Sequence, residues 1–143
     1  MPATSESQAR TRAFARVMGP WLVIVPGIIV MRMPDMGALM SGFFENTGLI
    51  WFAGGLLLFC GLLIIAFHQY WSSPPAIAIS LFGWLLALRG FVLMAAPQLI
   101  ERAAAASMGA LPIVRIGFGI LVLFGLWLTF VGWMAEPPAK DGP

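Results

Sequence analysis

The sequence predicts an all-α fold, a four-helix transmembrane bundle. Of 143 residues, 60% are hydrophobic and 10% charged, where soluble domains average about 25% charged residues. Four apolar runs, at about 13–31, 47–67, 75–97 and 110–134, are each long enough to cross a bilayer. The segments between them are short and carry the prolines, serines and aromatic residues that suit helix ends at a membrane surface.

The expected layout is a disordered cytoplasmic tail over 1–12, a single membrane domain over 13–134 and a second disordered tail over 135–143. Arg10, Arg12 and Arg16 before the first apolar run resemble the start of a signal peptide. Pro20 and Pro26 fall inside that run, however, and no small-residue cleavage pattern follows, so a retained helix is expected. Pro20 suits its first turns, and Pro26 is expected to kink it. Residues 32–46 read as a loop carrying Asp35 and Glu45, with Phe43 and Phe44 at the interface.

The second run, TGLIWFAGGLLLFCGLLIIAF, contains Gly54, Gly55 and Gly61. Small residues let helix backbones approach closely in lipid. Gly90, Gly117, Gly119 and Gly125 of the later runs are expected to pack helices in the same way. The turn HQYWSSPP follows, with His68, Tyr70 and Trp71 as interfacial residues, and Pro75 opens the third helix. Residues 98–109, rich in alanine, predict a short surface helix with Glu101 and Arg102 outward. With the N-terminus inside, Arg10, Arg12, Arg16 and Lys140 face Arg32 and Arg102 across the membrane. The positive-inside rule then puts both termini in the cytoplasm.

The runs also suggest an internal duplication. Shifting by 63 residues lays PWLVIVPGIIVMRMP on GWLLALRGFVLMAAP, matching Trp21 with Trp84, Gly27 with Gly90 and Pro34 with Pro97. A shift of 64 lays Gly55 on Gly119 and Gly61 on Gly125. A tandem duplication of a helical hairpin is expected, its halves pointing the same way.

Two cations break the apolar runs. Arg89 lies eight residues before Pro97, about 12 Å below that end of its helix. Arg115 lies near the start of the fourth run. A cation within a span costs at least about 2.5 kcal/mol on insertion scales, so it has a partner, water or a role. Arg115 has the reach to snorkel to lipid phosphates. Arg89 has two readings: a structural bond, as to the carbonyl freed by Pro26, or a contact with an anionic group. Glu45, Asp35 and Glu101 are the acids expected near both arginines. Trp84, beside Arg89 in GWLLALRG, is expected to pack on a partner or at the interface. His68 either bonds a helix end or meets a porphyrin or quinone headgroup.

Chemistry beyond binding is not indicated. There is no nucleophile–base arrangement, intramembrane carboxylate pair, glycine-rich phosphate loop or metal-ligand cluster, so no enzyme, metal or cofactor is expected. Cys60 is a lone thiol in an apolar run. With net charge +2 and no basic run, nucleic acid is not an expected partner. The expected partners are membrane lipid and a membrane protein or second copy. The preferred reading is an accessory or scaffold protein whose intramembrane arginine meets an anionic group. The alternative is a small anion or lipid carrier using Arg89 and Arg115.

His68, Trp71, Gly83, Trp84, Gly90 and Pro97 carry a resemblance. The stretch is similar to an uncharacterised family of small four-span bacterial integral membrane proteins. That family shows a His-Asn-x-Trp turn, then a Gly-Trp span with Lys-Gly inside it and a closing proline. Gln69 and Arg89 stand here where Asn and Lys are usual, and Arg89 keeps the charge. The resemblance implies a bacterial inner membrane and the four-span layout, with no activity attached.

Overall fold

The computed structural model describes residues 5–134, and these form six α-helices with no strand. They are α1 (Ser5–Met31), α2 (Met36–Glu45), α3 (Thr47–Phe67), α4 (Pro74–Ala95), α5 (Pro97–Met108) and α6 (Leu111–Trp133), with a 3-10 turn at Met33–Asp35. Four of them, α1, α3, α4 and α6, are long and apolar enough to cross a membrane, making this a multi-pass membrane protein.

The helix limits follow from local chemistry. Asn46 caps α3, its side-chain oxygen accepting a hydrogen bond from the Leu49 N–H at 3.1 Å. Prolines open α4, α5 and α6, where the missing N–H has no intrahelical partner to lose. Pro97 also keeps Ala96 out of helical geometry (φ −149°, ψ 65°), which separates α4 from α5.

Two expectations need correction. Residues 5–12 are not a disordered tail: they form the first turns of α1. Ser7, Thr11, Ala15, Met18 and Leu22 recur at helical spacing and are all buried, so one face of α1 continues inward past the apolar run. Polar identity at Ser7 and Thr11 hid that face. α1 therefore carries Pro20 in its interior and continues through Pro26 as one helix. Residues 32–46 are likewise not a loop but the 3-10 turn and α2. The tails at 1–4 and 135–143 lie outside the described residues.

The spanning helices pair α1 with α6 and α3 with α4, both antiparallel. Glycines set each seam. In α3/α4, Gly61 abuts the Ala87 backbone, Gly90 abuts Leu58, and Gly83 faces Ile64. In α1/α6, a Cβ on Gly125 would lie 2.8 Å from the Leu22 backbone carbon, and one on Gly132 would lie 2.8 Å from the Arg16 nitrogen. Any larger residue forces the helices apart, and van der Waals packing at such seams is what holds helices together in lipid. Gly54 belongs to these seams. Gly55, Gly117 and Gly119 do not, since a Cβ there meets nothing within 4 Å.

The two pairs join at one end of the molecule. Ala15, Met18, Leu22, Ile64, Ile79 and Leu128 form a contiguous core there, with Phe14, Phe82, Leu86 and Phe124 packed on it. Trp21 of α1 meets Phe82 of α4 edge to face at 5.8 Å. The opposite end carries α2 and α5, which pack on each other.

Candidate functional site

At the end bearing α2 and α5, the helices line an open-sided cavity of about 320 Å³, on which Arg89 is exposed. Ile29 of α1, Arg89 of α4 and Phe118 of α6 form part of its walls. Met33, Met36 and Met40 line it from the turn and α2, and Met108 and Ser107 line it from α5. The methionines recur at a spacing of three and four residues, so helical geometry turns them to one side. Thioether side chains are flexible and polarisable, which suits a wall that adapts to its contents.

Arg89 is the one charged residue lining this cavity. It lies six residues before the last residue of α4, about 9 Å along the axis from that end. Among the described residues it makes no hydrogen bond or ion pair; the ion pairs are Arg10–Glu6 at 2.7 Å and Arg32–Asp35 at 3.7 Å. The expected acidic neighbours are therefore not on it. Glu101 lines two other grooves, one with Gly37 and Ser41 that adjoins the cavity at Met40, Ala104 and Met108, and one with Thr47 and Trp51. Glu45 is exposed at the end of α2. Arg115 is exposed on α6 and does not line the cavity, although its neighbour Val114 does. Successive helical residues point about 100° apart, so Arg115 faces away from Val114's direction.

No family model, curated protein or solved structure matches the chain.

At the other end the His68 side chain, expected to face the membrane surface, is fully buried within the protein. It follows the last residue of α3, and its N–H bonds the Ile64 carbonyl at 2.8 Å. Its Nε2 lies 3.0 Å from Thr11 Oγ1 on α1, and its Nδ1 lies 3.2 Å from Ser80 Oγ on α4. Phe14 and Tyr70 flank the ring edge to face at 5.3 and 5.4 Å. Burial lowers the imidazole pKa from its ordinary value of 6.5, with a hydrogen bond to the residue's own backbone opposing. Both ring nitrogens face hydroxyl groups of the same chain, an arrangement that ties three helices together. No group of three or more metal-ligating side chains exists among the described residues.

Trp71 is exposed beside the same turn. Trp84 is not near an interface: it sits near the middle of α4 and is 56% exposed on the outer surface. Sequence reasoning missed Thr11, Ser80 and the methionine wall. The signals were the spacing of Ser7, Thr11 and Ala15, and that of Met33, Met36 and Met40. It also missed Arg16, whose Nε donates to the Gly132 carbonyl at 2.9 Å while its guanidinium lies 5.7 Å from the Trp133 ring centre.

Proposed function

We propose that the protein is a membrane accessory or scaffold protein that holds an anionic group of its surroundings, a lipid above all, on Arg89. One observation carries this reading. Arg89 is the sole charge lining an otherwise largely apolar cavity, and its guanidinium has no partner among the described residues. A cation in that setting is stabilised by an anion brought to it. The guanidinium fork suits a carboxylate or phosphate, which it binds through two parallel hydrogen bonds.

The carrier alternative draws less support. It needs Arg89 and Arg115 on one path, and Arg115 stands outside the cavity. The proposed setting is a bacterial inner membrane with both termini cytoplasmic, which places α2, α5 and the cavity towards the outer face.

The proposed duplication is supported by how the helices exchange partners. α1 of one half packs on α6 of the other, α4 packs on α3, and the connectors α2 and α5 meet. A shift of 63 residues carries Met36–Glu45 onto 99–108, within α5. Arg89 then takes the place of Pro26, so the anion site belongs to the second half alone.

The test is purification from native membranes in mild detergent, followed by mass spectrometry of what stays bound. The reading predicts retained anionic lipid or an acidic membrane partner, lost on Arg89→Gln. Equal retention by both proteins would remove its basis.

A further inference from the structure

We infer that the Arg89 cavity takes a single-chain amphiphile with a carboxylate head, a long-chain fatty acid, rather than a whole diacyl phospholipid. The inference rests on the reading of Arg89 as the anion-binding group and adds the class of ligand.

Three features of the cavity carry it. The first is size. About 320 Å³ sits at the low end of the roughly 300–1,000 Å³ spanned by small-molecule sites. The open-sided cavity seats part of one extended chain and a small head, and a second chain and a phosphodiester headgroup would lie outside it. The second is charge count. The lining holds one cation, Arg89, with Ser107 as the one neutral side-chain hydroxyl. One guanidinium matches one carboxylate in charge and in its fork of donors. The third is position. The Arg89 backbone lies six residues inside α4, about 9 Å from its end, with α2 and α5 beyond it. A carboxylate carries no bulky polar substituent and can enter beneath those helices. A phosphate esterified to a headgroup stays at the level of the surface. The acyl chain then lies against Met33, Met36, Met40, Met108 and Phe118, flexible apolar side chains that accept chains of differing length and unsaturation.

The test uses the full chain in nanodiscs of zwitterionic phosphatidylcholine, with methionine methyl groups labelled with ¹³C. Palmitate is titrated in, and parallel titrations use a single-chain phosphate (lysophosphatidic acid), diacyl phosphatidylglycerol and a single-chain ammonium amphiphile. Binding of palmitate should shift Met33, Met36, Met40 and Met108 saturably while leaving Met18, in the core at the far end, in place. Arg89→Gln should weaken palmitate about tenfold or more, the loss expected for a charge-assisted pair. Arg89→Lys should recover part of it. Met40→Trp, which fills the cavity and keeps Arg89, should also abolish the shifts.

If phosphatidylglycerol or lysophosphatidic acid binds in an Arg89-dependent way and palmitate does not, the fatty-acid assignment is wrong while the anion reading stands. Should palmitate and the ammonium amphiphile bind equally, or palmitate bind equally with Arg89→Gln, the carboxylate has no role and the inference fails. When no anion responds to Arg89→Gln, both readings fall. Circular dichroism of each variant checks that the helices are intact.

Discussion

His68 Nε2 lies 3.0 Å from Thr11 Oγ1, so a residue at the end of α3 is bonded to one 57 positions earlier on α1. Thr11 has one hydroxyl proton and two acceptors in reach, Nε2 and the Ser7 carbonyl at 2.7 Å. With the ring proton on Nε2, the ring donates to Thr11, Thr11 donates to the Ser7 carbonyl and Ser80 donates to Nδ1. With the proton on Nδ1, the directions reverse: Thr11 donates to Nε2, Nδ1–H donates to Ser80 Oγ, and Ser80 donates to the Tyr70 carbonyl at 3.1 Å. Thr11→Val keeps the shape and removes the hydroxyl, leaving a buried nitrogen unpaired. The expected cost is about 1–3 kcal/mol, read by denaturant unfolding in micelles, and Thr11→Ser should cost less.

Acid should loosen the same clasp. The folded-state pKa of His68 is below 6.5, so over the interval between that lowered value and 6.5 the unfolded chain binds more protons than the folded one. Stability then rises with pH across that interval and levels off above about 6.5. Unfolding midpoints measured from pH 5 to 8 should fall on the acid side. His68→Gln, less stable throughout, should remove this part of the slope. An unchanged slope in the variant would contradict the assignment.

Glycines with similar sequence settings should respond in opposite ways. Gly61→Ala and Gly125→Ala each drive a methyl group into a facing backbone, at Ala87 and Leu22. Each should cost about 1–3 kcal/mol, as overpacking does. Gly55→Ala and Gly119→Ala meet open space and should be neutral or stabilising by up to about 1 kcal/mol through helix propensity. Thermal unfolding in one detergent ranks all four.

The proposed orientation is checked by labelling. Ser41 on α2 and Ser72 in the turn after α3 are exposed at opposite ends of the molecule. In a Cys60→Ser background, Ser72→Cys should react with an impermeant maleimide only after the inner membrane is opened. Ser41→Cys should react in intact spheroplasts. The reverse pattern would invert the topology.

Composition and run length made the all-α, membrane-spanning class legible, because lipid demands long apolar helices. α3 runs over the same residues as the apolar stretch 47–67, where no polar residue blurs either end. α1 was harder to delimit, because its first buried residues are Ser7 and Thr11, polar groups satisfied by partners distant in sequence or by the helix itself. α2 was hidden by Gly37 and Gly42, although Met33, Met36 and Met40 kept a helical period. Arg89 was conspicuous as a charge in an apolar run. That Arg115 would not share its cavity depends on how α6 is rotated about its axis, which no local pattern around Arg115 reveals. The pairing of α1 with α6 was equally invisible, since both close pairs rest on glycine seams that read alike.

The most direct measurement of the central claim is the Arg89 Nε–H resonance of ¹⁵N-arginine-labelled protein in nanodiscs, assigned by its loss in Arg89→Lys. Adding an anionic amphiphile to a zwitterionic bilayer should shift that signal and slow its exchange with water, while the Arg10 signal, already paired with Glu6, stays in place. An Arg89 signal indifferent to the anion, or one that moves no more than Arg10, would contradict the account.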